Sequence, residues 1–201
     1  MYNHIINEMK KHFPFTAIGA VIGIVFMYFS YTLSYKTAYN IFYILHPLHV
    51  LLSALVTASM YEFYKKGKIN LLLLLFVGYV GSVGIATLSD SLIPYFGEIL
   101  LDMPNRKIHL GFIEKWWLVN PLALIGIAIA YFKPSTKFPH MGHVLVSTWA
   151  SVFHIIMAIG KPIGFLQYAM LFTFLFLAVW VPCCMSDIVF PLLFVKDKHK
   201  L

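Results

Sequence analysis

Six stretches of this chain contain no Asp, Glu, Lys or Arg: His12–Tyr35, Thr37–Tyr61, Ile69–Ser89, Trp116–Phe132, Phe138–Gly160 and Pro162–Ser186. Crossing a bilayer core takes about 20 helical residues, and each stretch meets or nearly meets that length. The shortest, Trp116–Phe132, can borrow a turn from the segment before it. Nothing alternates with period 2 over barrel-strand lengths, so helices are the only way to satisfy the backbone in lipid. The expected fold is all-α: a polytopic integral membrane protein with six transmembrane helices in one compact bundle. Charged residues make up 11% of the 201, against roughly 25% in soluble domains, which excludes an ordinary water-soluble fold. Two cysteines are too few for a disulfide scaffold.

Lysine placement predicts the orientation. With both termini inside, the inner segments hold Lys10, Lys11, Lys65, Lys66, Lys68, Lys133, Lys137, Lys196, Lys198 and Lys200. The outer segments hold only Lys36, Arg106, Lys107, Lys115 and Lys161. This bias predicts N-in and C-in, in a membrane of the cytoplasmic (inner) type. The net charge of +7 is then positive-inside bias and attraction to anionic lipid, with no nucleic-acid partner required. Tyr35, Tyr39, Tyr95, Trp116 and Trp117 fall at the outer boundary, and Tyr61, Tyr64 and Tyr131 at the inner one. Both interfaces therefore carry aromatic residues.

Residues 1–201 are expected to form a single transmembrane domain. Residues 1–13 read as an interfacial segment rather than a cleavable signal, because the apolar run that follows is too long. Residues 91–115 read as an outer loop, with Ile93, Phe96, Ile99 and Leu100 spaced as a short surface helix. No internal repeat is apparent. Gly78, Gly81 and Gly84 read as a helix-contact surface.

The chemistry lies in the polar residues inside the apolar stretches. His46, His49, Ser53 and Thr57 share one helical stripe, and His140, His143, Ser147, Ser151 and His154 share another. At 1.5 Å per residue, His46 and His49 lie roughly 7 and 12 Å below the outer face, and His154 about 9 Å below it. Asp90 ends the third stretch at the same side, and His109 and Glu114 lie in the outer segment. Imidazoles with carboxylates suit a borderline divalent ion, so His46, His49, His154, Asp90, His109 and Glu114 form the expected outer metal site, with Zn or Fe favoured. A second, inner set comprises His140, His143, Cys183 and Asp187, joined to the outer one by Ser147 and Ser151. Cys183 and Cys184 are adjacent and diverge by about 100° on a helix, so they are poor joint ligands.

Three functions fit these residues. A divalent-cation transporter or channel leads, because polar groups persist at several depths along two helices. Six helices make a small transporter, which favours a homo-oligomer. The alternative is a membrane metalloenzyme acting near the outer leaflet, with Asp90 or Glu114 as general base. A haem or quinone carrier is the third, weakened because no second helix supplies a matching histidine pair.

Overall fold

The computed structural model describes residues 2–30, 32–65, 68–160 and 162–195. Among these there are helices and connections but no strands. We label the helices α1 (Tyr2–Ser30), α2 (Tyr35–Tyr64), α3 (Leu71–Leu100), α4 (Gly111–Glu114), α5 (Trp116–Phe132), α6 (Lys137–Ala158) and α7 (Phe165–Leu193). Five of them contain windows long and apolar enough to cross a membrane: α1, α2, α3, α6 and α7. The 17 residues of α5 reach about 26 Å, slightly short of a bilayer core.

α2 is the hub of the bundle. It packs against α5, α6 and α3, while α1 packs against α6 and α7. Polarity is distributed as a membrane protein requires. Leu72, Phe132 and Phe165 are more than 75% exposed, whereas His46, His49, Asp90, Glu98, His143 and Asp187 are fully buried. Lipid takes the apolar surface, and the polar side chains find one another inside.

Small residues allow the close approaches. A side chain at Gly126 of α5 would collide with the Leu51 carbonyl and Ala54 of α2. Gly78 and Gly81 of α3 fit against Ile127 and Thr57, as a contact surface should, but Gly84 faces open space. Ser34 accepts from the Thr37 N–H to cap α2, and Asn70 accepts from Leu72 and Leu73 to cap α3.

One expectation about chain layout changes. Asp90 does not end the third helix: α3 continues to Leu100, and the turns Ile93–Leu100 expected as a surface helix are its last two. The connection after α3 therefore shrinks to the residues from Leu101 to α4. α1 runs through Pro14 without a break, and its window long and apolar enough to cross a membrane begins at Phe13. A charged residue need not end an apolar helix when packing buries it, and Asp90 is fully buried.

Among the described residues three turns are π-helical: Val80–Gly84 and Leu88–Leu92 in α3, and Met185–Val189 in α7. The last two have the same cause. Pro94 and Pro191 stand four residues after Asp90 and Asp187, where each would have donated to the aspartate carbonyl and where its ring crowds that carbonyl. Widening the turn relieves the clash, with Ile93 donating to Leu88 and Phe190 to Met185 across five residues.

The α2–α5 contact gives a direct test. Gly126→Leu is expected to cost roughly 1–3 kcal/mol by overpacking, seen as a lower unfolding temperature in detergent. Gly84→Ala, which meets nothing, should leave that temperature unchanged or raise it slightly.

Candidate metal centre

Asp90 organises the centre of the bundle. Its Oδ2 accepts from Nδ1–H of His46 at 2.9 Å and of His49 at 2.7 Å. Its Oδ1 accepts from Ser89 and Ser147, both at 2.7 Å. Four donors thus hold one ionised carboxylate that has no access to water. With the Nδ1 proton committed to Asp90, the lone pair of His46 and His49 sits on Nε2. Both Nε2 atoms are buried without a hydrogen-bond partner. A carboxylate fixing an imidazole tautomer so that its far nitrogen is a free lone pair is the usual outer support of a metal ligand.

His49 leads from there to α6. Its ring stacks on that of His143, with centroids 5.8 Å apart and planes 12° from parallel. His143 Nε2 lies 3.1 Å from Asp187 Oδ2. The ligand atoms of His49, His143 and Cys183 lie within 4.8 Å of one another, so these three can hold one metal ion. The adjacent Cys184 is also buried, but does not join this cluster. Below it, Ser186 hydrogen-bonds with Thr57 at 2.9 Å and donates to the Gly81 carbonyl at 2.8 Å. Ser151 donates to the Ser89 carbonyl at 2.9 Å.

A second group occupies the end of the bundle under the 101–115 segment. His154 donates from Nδ1 to Glu98 Oε1 at 2.7 Å, and Ser91 joins its Nε2 at 3.3 Å. The rings of His154 and His109 are 5.4 Å apart. His109 Nδ1 lies 3.2 Å from Glu114 Oε2, which also accepts from Tyr43 at 2.7 Å. Burial pushes His109 below its ordinary pKa, against the opposing hydrogen bond with Glu114. For Glu114 burial acts upward, but the hydrogen bonds from Tyr43 and His109 outweigh it and hold the carboxyl below its ordinary value. At neutral pH this end is therefore a neutral imidazole beside a charged carboxylate, which attracts cations. Phe42 touches both groups, stacked on His46 at 5.2 Å and edge-on to His154 at 5.5 Å. Gly111 rests on the His46 ring, where a Cβ would come within 2.5 Å of Nε2, so α4 closes over the site only as glycine.

The structure thus arranges the predicted residues differently from two separate layers. His46, His49 and Asp90 meet as one unit. His154 pairs with Glu98 instead, and His109 pairs with Glu114. His49 of the outer set joins His143 and Cys183 of the inner set. Ser147 binds Asp90 directly rather than lining a path between sets. The side chain of His140 lies outside the described residues. Glu98 was missed, although Asp90, Pro94 and Glu98 follow at four-residue steps on one face; ending the helix at Ser89 hid that spacing.

No known protein family, curated protein or solved structure matches the chain. The centre is testable on its own. Asp90→Asn should weaken divalent-metal affinity by about 10–100-fold, because it frees the imidazoles that Asp90 orients. Equilibrium dialysis of the purified protein with Zn²⁺ or Co²⁺ reads this directly, and an unchanged affinity would exclude the centre.

Proposed function

We propose that this chain is a divalent-metal transporter: six membrane-crossing helices, both termini inside, carrying a zinc- or iron-class ion as its substrate through the bundle core. The observation that carries this reading is the His49–His143–Cys183 cluster within a succession of buried polar groups. That succession runs from Glu114 and His109, past His154 and Glu98, to Asp90 and the cluster, and on to Ser186 and Thr57. A thiolate beside two imidazoles suits zinc or Fe(II) better than the hard ions magnesium and calcium. Polar groups at many depths serve passage, whereas a catalyst needs a single pocket.

The metalloenzyme alternative gains no support from Asp90 as a base. All four of its hydrogen bonds are taken, so it positions imidazoles instead of accepting a substrate proton. Two cavities of about 460 and 380 Å³ are lined by Ile6, Phe13 and Trp180 and by Tyr28, Pro162 and Tyr168, away from every histidine pair.

The ion's route follows from the residues. Glu114, 29% exposed, supplies charge at the mouth, and His109 and His154 hand the ion inward. At the cluster the ion is held by nitrogen and sulfur, while Asp90 and Asp187 balance its charge. Proteoliposomes with wild-type protein should accumulate Zn²⁺ down an imposed gradient. His143→Ala and Cys183→Ser should reduce the flux to the level of empty vesicles, and Glu114→Gln should slow it while leaving equilibrium binding at the cluster intact. A wild type that binds metal but moves none under any gradient would refute transport.

A further inference from the structure

We infer that the chain is two inverted copies of one three-helix unit, α1–α3 and α5–α7, related by a pseudo-twofold axis between His49 and His143, so that each copy contributes one His–Asp pair to a shared metal centre. The sequence carries the relation once the structure shows where to look. In α2, His46-Pro-Leu-His49-Val50-Leu51-Leu52-Ser53 corresponds to His140-Met-Gly-His143-Val144-Leu145-Val146-Ser147 in α6, and Thr57 to Ser151. In α3, Ser89-Asp90 with Pro94 corresponds to Ser186-Asp187 with Pro191 in α7. In α1, Ile22-Gly23-Ile24 with Tyr28-Phe29 corresponds to Ile125-Gly126-Ile127 with Tyr131-Phe132 in α5. Different spacings between these blocks conceal the repeat from a fixed-offset comparison.

The contacts repeat as well. Each π-turn begins two residues before its aspartate and ends two after it. His49 pairs with Asp90, and His143 with Asp187. Contacts between copies are reciprocal: the hydroxyls of Ser147 and Ser89 lie 3.2 Å apart, and those of Ser53 and Ser186 3.4 Å apart. Gly23 is pressed on α6 beside Thr148, and Gly126 on α2 beside Ala54, the corresponding position. His49 and His143, corresponding residues, stack on each other, which puts the axis between them.

An odd number of helices forces the copies into opposite orientations, and the loop lysines agree. The α2–α3 connection carries Lys65, Lys66 and Lys68, but its counterpart between α6 and α7 carries only Lys161. The α5–α6 connection carries Lys133, with Lys137 at the start of α6, against Lys36 alone at the corresponding start of α2. Equivalent loops are thus basic in one copy and poor in lysine in the other, as opposite sidedness demands. Inverted repeats with a site at their interface are a recurrent build for secondary transporters. Exposure of the centre to two sides rests on the transport reading; the symmetry does not.

Symmetry also explains which ligand stands alone. Cys183 packs with Val144, and its counterpart Ala86 packs with Val50, the counterpart of Val144. A thiol at 86 should therefore reach the same two imidazoles from the other side of the axis. The test uses Co²⁺ titration of the full-length protein in detergent, reading the thiolate-to-cobalt charge-transfer absorption. Cys183→Ala should lose that absorption and bind at least about tenfold more weakly. Adding Ala86→Cys to Cys183→Ala should restore both. A folded double variant with no absorption and no gain in affinity would overturn the symmetry. A second measurement does not depend on that variant: Lys68→Cys and Pro162→Cys should react with a membrane-impermeant thiol reagent from opposite sides of sealed vesicles. Reaction from the same side would overturn it too. Neither readout involves flux, so a protein can pass both and still fail as a transporter.

Discussion

The carboxylate of Asp90 is the group around which the bundle is assembled. An ionised carboxylate removed from water costs several kcal/mol unless its lone pairs are filled, and no lysine or arginine among the described residues pairs with it. The cost is offset by four donors drawn from α2, α3 and α6. Those three helices are consequently locked at a common depth, and the imidazoles are left in one tautomer with their remaining nitrogens turned away from Asp90. Removing any one donor would disturb both the packing and the chemistry, since the same bonds serve both.

The bundle has an unusual division of labour between its apolar and polar parts. Apolar surface faces outward, so in lipid it supplies little force between helices; fitted small residues and interior hydrogen bonds supply it instead. Gly126 against α2 and Gly23 against α6 let backbones approach, and the serine pairs then come within hydrogen-bonding distance. Glu98 and His154 extend the same pattern toward the 101–115 segment, where buried Tyr43 donates to the partly exposed Glu114.

The helical class, the membrane character and most of the residues at the centre were legible from the sequence. Charge-free runs mark the helices, and steps of three and four residues mark the stripes of α2 and α6. What could not be read was which imidazole faces which neighbour. Depth counted along a helix axis put His49 with His154, yet a helix face, not a depth, decides contact, and His49 turns to His143. Glu98 was hidden because charge was taken as the end of a membrane helix. The correspondence between the halves was hidden because unequal connections shift the blocks relative to one another. Side-chain azimuth and block offset are both tertiary quantities, fixed only when the helices are packed together.

The widened turns at Leu88–Leu92 and Met185–Val189 each store one residue more than a regular helix needs. Such a surplus residue can be relocated along a helix by exchanging neighbouring backbone hydrogen bonds, with the ends of the helix held still. Every residue that the surplus passes turns by about 100° and advances by about 1.5 Å. Asp90 and Asp187 occupy the middle of these turns, so a displacement of a single residue would swing a carboxylate away from its present imidazole partners. Reorientation of the centre would then proceed as a screw motion inside α3 and α7, without either helix having to tilt.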